Sequence, residues 1–212
     1  VLDRVLSPGI IKTDGYAYEQ DTHGGYSPDT ELAKACVLDL APPGHDPANR
    51  SVIYDRSGKR NHGAIFGAVW KQLPSGLWCL DLDGTDDRIS IGTNLAAFKQ
   101  TVFSFVTWAR FGAVAANKVI FATYDYDGTN EWGALCYLVG APVTFSLRLS
   151  KGSAPNYASC LSTTQPVVGT WYFLAFVNAS ATSHRLHVNG VQEIDEATDY
   201  TVVYNALVTT AL

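Results

Sequence analysis

Tyr124-Asp125-Tyr126-Asp127-Gly128-Thr129-Asn130-Glu131-Trp132 places aromatic rings and oxygen donors together in one short stretch. Asp125, Asp127, Asn130 and Glu131 are hard-oxygen groups of the kind calcium takes, and Tyr124, Tyr126 and Trp132 offer faces on which a sugar can stack. The expectation is a loop site in which Tyr124, Tyr126, Asn130 and Trp132 bind a ligand and Asp125 and Asp127 hold calcium. A plain hairpin turn competes with it, because Asp-Gly-Thr-Asn is ordinary turn chemistry and the order of an EF-hand is lacking.

Other groups are weaker. Glu193-Ile194-Asp195-Glu196 superficially resembles the strand motif of concanavalin A-like glucanases, in which two carboxyls about 5 Å apart flank the glycosidic bond. Ala197 and Thr198 stand where the second Glu of that motif is needed, so solvated strand carboxylates are expected. His184 and His187 are three apart on a strand and face opposite ways, and His23, His45 and His62 sit in polar loops without partners at a recognisable spacing. No nucleophile elbow, phosphate loop, zinc-protease helix or dinucleotide fingerprint occurs, and the chain is read as a non-enzyme. Cys36, Cys79, Cys136 and Cys160 form no metal-binding pattern; a disulfide and small buried hydrophobes both stay open. Asn49-Arg50-Ser51 and Asn178-Ala179-Ser180 match the glycosylation sequon.

The elements that must carry these residues are strands. With 212 residues, 47% of them hydrophobic and 17% charged, the chain can bury a core large enough to offset its conformational entropy. A net charge of -5 and the absence of basic runs argue against nucleic acid, and no stretch approaches the ~20 apolar residues that span a bilayer. The start at Val1, the lack of any Met and the lack of a leader pattern read as a processed product or an excerpt. Residues 1–34, rich in Gly, Asp, Tyr, Pro and Ser, show neither strand nor helix period and are read as an extended arm, either a loop-rich edge or a segment that docks on a neighbouring subunit.

Beyond the arm, β-branched and aromatic runs bounded by turn residues predict strands over 36–40, 64–70, 78–82, 88–91, 102–111, 118–124, 134–139, 143–149, 171–178, 185–188, 191–194 and 202–208. Asn189-Gly190 between two of them predicts a tight hairpin. So many short strands in one domain predict an all-β chain of two packed sheets.

Five segments carry a resemblance: 55–63 (Asp-x-Ser-Gly-x-x-Asn-x-Gly), 80–89 (Leu-Asp-Leu-Asp-Gly-Thr-Asp-Asp-Arg-Ile), 103–109, 169–172 and the hairpin 186–190. In this order they resemble the laminin-G-like branch of the concanavalin A-like lectin and glucanase fold, over roughly 36–194. The resemblance implies a two-sheet antiparallel jelly-roll sandwich over 35–212. It also implies further closing strands, and Tyr204-Asn205-Ala206-Leu207 comes early, so the ending is shortened or missing. Relatives that bind calcium at acidic loops make Asp55 and the Asp81, Asp83, Asp86, Asp87 group a second candidate cation site; the competing reading is that Asp55 and Asp83 simply hold their turns.

The expected function is a non-catalytic binding or adhesion module at an extracellular or virion surface, recognising glycan or protein through sandwich loops. The alternatives are a structural subunit of a viral particle or filament that self-assembles through residues 1–34, and, more distantly, a glycan-cleaving enzyme of the same fold.

Overall fold

The computed structural model describes residues 12–13, 16–17, 36–40, 42, 50–93, 100–126, 129–152, 157–204 and 209–211. The chain divides into two compact units, 1–91 and 92–212. The described residues contain strands, turns and bends, and no helix long and apolar enough to cross a membrane.

The first unit contains β1 (Lys12–Thr13), β2 (Tyr16–Ala17), β3 (Val52–Ile53), β4 (Gly63–Phe66), β5 (Val69–Gln72), β6 (Trp78–Asp81) and β7 (Arg88–Thr93), the last of which runs past the unit's end. β1 and β2 pair antiparallel inside the segment read as an irregular arm; the rest of residues 1–34 lies outside the described residues. β4 lies between β3 and β7, and β5 pairs with β6. The expected strand 64–70 is therefore two strands, because the chain turns at Gly67-Ala68 between them.

The expected strand 36–40 is absent apart from one bridge between Leu40 and Asp55. Its backbone serves the loop beside it instead. The buried Asp55 carboxylate accepts from the amides of Asp39, Ser57 and Asn61, each at 2.9 Å, and from Ser57 Oγ at 2.8 Å. Asn61 Nδ2 donates to Val37 O at 2.7 Å, and His62 Nδ1 accepts the Asp55 amide. The Asp-x-Ser-Gly-x-x-Asn segment is thus a turn pinned to the backbone of Val37 and Asp39, and it spends its acid on three amides and a hydroxyl. Its closing Gly63 has no room for a side chain: a Cβ there would lie 2.4 Å from Ile89 and 2.8 Å from Ile53.

The second unit is an antiparallel sandwich. It contains β8 (Phe103–Arg110), β9 (Val119–Tyr126), β10 (Glu131–Val139), β11 (Thr144–Lys151), β12 (Tyr157–Leu161), β13 (Trp171–Ser180), β14 (Ser183–Val188), β15 (Val191–Glu196) and β16 (Thr209–Ala211). One layer runs β12-β11-β10-β9-β16 and the other β15-β14-β13-β8. Alternation sends Phe121, Cys136, Leu138, Phe145, Leu147, Leu149 and Cys160 inward from the first layer, against Tyr172, Leu174, Phe176, Leu186 and Val188 from the second. Phe105 stacks on Phe121 with ring centroids 4.3 Å apart, and Phe145 meets Tyr172 edge to face at 5.2 Å.

All four cysteines are free thiols. Burial pushes the Cys136 thiol up, and lifts Cys160 to about 12, so both act as small hydrophobes.

The Asn189-Gly190 hairpin forms as expected, with φ of 52° and 83° at its two central residues. β12 has no counterpart among the expected strands, because its Tyr-Ala-Ser-Cys-Leu lacks the β-branched content that marks the others. The expected strand 202–208 is not a strand at 202–204, and 205–208 lies outside the described residues. Val203 instead wedges its backbone into the end of the β10–β11 ladder: its amide donates to Ser150 O at 2.9 Å, and its carbonyl accepts from Gly133 at 2.7 Å. Gly133 permits this with φ of +88°, at a point where a Cβ would fall 1.6 Å from Thr123 O. Tyr204 then packs on the core and donates to Gln100 O at 3.0 Å; burial raises its phenol to about 12.

Candidate functional site

The expected loop site sits on the β9–β10 hairpin, and the strand register divides it. Trp132 stands opposite Asp125 and Gly133 opposite Tyr124. Successive side chains alternate across a sheet, so Trp132 and Asp125 share the face of the inward Ala134 and Cys136, while Tyr124 shares the other face with Glu131. The correction to the expected cluster is geometric: Tyr124 and Trp132 cannot stack on one sugar from opposite sides of the sheet. Tyr126 is the last residue of β9, Asn130 is half-buried in the turn, and Asp127 lies outside the described residues.

On Tyr124's side, the outward face of β11 reads Ser146, Arg148, Ser150, alternating with inward Phe145, Leu147 and Leu149. Arg148 Nη2 lies 2.5 Å from both carboxylate oxygens of Glu131, and its guanidinium rests 3.6 Å from the Tyr157 ring centre on β12. Burial works against the charge of Arg148, yet Glu131 with Tyr124 and Tyr137 outweighs it and holds the guanidinium more firmly protonated than usual. Glu131 is buried and Arg148 nearly so, which makes the pair a strut that ties the start of β10 across to β11. Period-two alternation of polar residues in 146–150 is the signal that points to it.

The remaining acids also have occupations. Thr85 N donates to Asp83 and Asp83 N to Asp87, so this turn consumes two of three carboxylates whose ligand atoms lie within 4.8 Å of one another. Glu193 accepts from the amides and hydroxyls of Thr163 and Thr164. Asp195 pairs with Arg185 at 3.0 Å, and Glu196 accepts from Thr198. Buried His184 places Nδ1 2.5 Å from Asn178 Oδ1 and Nε2 3.0 Å from Thr198 O, while His187 faces outward. Asn178 is 1% exposed and donates to Thr101 O at 2.6 Å, so its sequon has no free amide for a glycan. Asn49, His23 and His45 lie outside the described residues.

The outer face of the four-stranded layer has a different character. β8 turns Ser104, Val106, Trp108 and Arg110 outward, and β13 turns Trp171, Phe173, Ala175 and Val177 outward. Register sets Trp108 beside Phe173, with ring centroids 5.4 Å apart, and Arg110 beside Trp171. Trp108 is 64% exposed, Val106 58% and Trp171 36%. Three rings and one guanidinium thus form a two-by-two array on the outer sheet face, a concentration of exposed apolar surface of the kind found at contact sites. The sequence predicts both strands, over 102–111 and 171–178, and in the structure the even positions of the first are exposed.

Residues 83–209 match the family described as the concanavalin A-like lectin/glucanases superfamily. Among solved structures, domain 4 of AbnA, a GH43 extracellular arabinanase from Geobacillus stearothermophilus, in complex with arabinotriose, is 18% identical. The match covers 74% of this chain and 76% of that one, with a TM-score of 0.55, and shows the shared fold. The carbohydrate-binding module CBM66 from Bacillus subtilis is 14% identical over 71% of this chain and 90% of that one, with a TM-score of 0.39. No curated protein matches. With the match spanning more than half the chain and the second unit folded as a two-layer antiparallel sandwich, this chain belongs to the concanavalin A-like lectin/glucanase superfamily.

Proposed function

We propose that this chain is a non-catalytic glycan-binding module that works at an extracellular or virion surface. The observation that carries the reading is the exposed array of Trp108, Phe173 and Trp171 on the outer face of the four-stranded layer. Indole rings held on a rigid sheet offer a flat apolar surface to the C–H face of a sugar, and little ordering entropy is lost on binding. The occupations of Glu193, Asp195 and Glu196 support a non-catalytic role, since each is committed to neighbouring donors. Assembly through the same apolar face is the second reading, favoured by the exposure of Val106 next to Trp108.

The test is retention of the intact chain on a glycan array that includes arabino-oligosaccharides. Trp108→Ala is expected to lose retention, while Trp132→Ala on the hairpin and a calcium chelator leave it in place. Retention lost in Trp132→Ala and kept in Trp108→Ala would move the site to the hairpin, and loss on chelation would restore the calcium expected at Asp125 and Asp127.

A further inference from the structure

We propose that the aromatic face selects an acidic polysaccharide, one whose sugars carry carboxylates, with Arg110 as the residue that reads the charge. The inference rests on the glycan-binding reading and adds the ligand class. It starts from the charges on this face. Arg185 on β14 and Asp195 on β15 neutralise each other at 3.0 Å, and the other outward positions on β8 and β13 are Ser, Ala, Val or aromatic. Arg110 is exposed and makes no ion pair among the described residues, which leaves one uncompensated positive charge at a corner of the ring array. Outward neighbours along a strand are about 7 Å apart and across strands about 5 Å, so the array is about the size of one sugar ring with its substituent. A ring stacked on Trp108 or Trp171 therefore brings its carboxylate within reach of the guanidinium fork, which matches it with two parallel hydrogen bonds. A neutral sugar would stack as well but leave that fork without its complement.

The experiment titrates the intact chain with three uronate oligosaccharides (galacturonate, glucuronate and mannuronate) and with their carboxyl-reduced, neutral counterparts. Calorimetry gives affinity, and indole NMR signals give the location. At least one acidic oligosaccharide is expected to bind about tenfold or more tighter than its neutral counterpart, shifting the signals of Trp108 and Trp171. Arg110→Gln should erase that preference, and so should raised salt. Trp108→Ala should abolish binding of both forms. Both Arg110 and Trp108 are exposed, so neither change threatens the fold. Equal binding of acidic and neutral forms, unaffected by Arg110→Gln, would overturn the charge reading and leave glycan binding standing. No binding by any of the six would overturn the acidic-ligand proposal and leave the glycan reading to the array, while a concentration-dependent mass that Trp108→Ala abolishes would overturn both.

Discussion

Trp108 and Arg148 show how differently two side chains on sheet faces can be used. Trp108 leaves 64% of its surface in water and makes a tilted ring contact with Phe173, so its loss removes one aromatic contact. Trp108→Ala should therefore cost about 1 kcal/mol or less of stability, read from denaturant unfolding, while removing glycan retention. Arg148 is spent internally. Arg148→Ala would strand the buried Glu131 carboxylate and is expected to cost about 3 to 5 kcal/mol, a loss the same unfolding curves would show. Glu193 contributes to the pH dependence. Burial would raise its carboxyl, but the hydrogen bonds from Thr164 and Thr163 outweigh this and hold it below the ordinary value of 4.5. A carboxylate lowered in the folded state stabilises above its unfolded value, and that contribution disappears as pH falls through the folded one. Thermal midpoints taken from pH 6 down to 3 should fall less steeply in Glu193→Gln than in the native chain. Equal slopes would assign the acid sensitivity to other groups.

At the scale of elements, the strands that sequence located best are those whose two faces differ. Phe103–Arg110, Trp171–Ser180 and the Asn189-Gly190 hairpin were legible because alternation and a positive-φ turn pair are local properties. β12 was hidden by its small residues. The segment at 202–204 was misread because β-propensity cannot foresee that Gly133 opens a ladder for Val203. The same limit applies to the site: residue types in 124–132 suggested one cluster, but pairing register assigns Tyr124 and Trp132 to opposite faces. The array of Trp108, Phe173 and Trp171 joins residues about sixty positions apart, and only the β8–β13 register brings them together. The 55–63 turn makes a prediction at this scale. Asp55→Ala leaves three backbone amides without their acceptor, so hydrogen exchange at Asp39, Ser57 and Asn61 should accelerate sharply. Unchanged exchange at those amides would show that the carboxylate does not hold the turn.

At the scale of the whole molecule, the claim is that binding belongs to a sheet face of the second unit and uses no covalent chemistry. Assembly through residues 1–34 makes the contrary prediction, that light scattering shows a multimer and that removing the arm dissolves it; the account expects the same oligomeric state with and without those residues. The most direct measurement uses the five tryptophans as reporters, because Trp70 is buried and Trp78 opens β6 in the first unit, Trp132 lies on the hairpin, and Trp108 and Trp171 share the proposed face. Indole N–H signals would be followed by NMR while the intact chain is titrated with the oligosaccharides retained best on the array. The account predicts saturable shifts at Trp108 and Trp171 with Trp70 and Trp132 unmoved. Shifts confined to Trp132, or no saturable shift at Trp108, would contradict it.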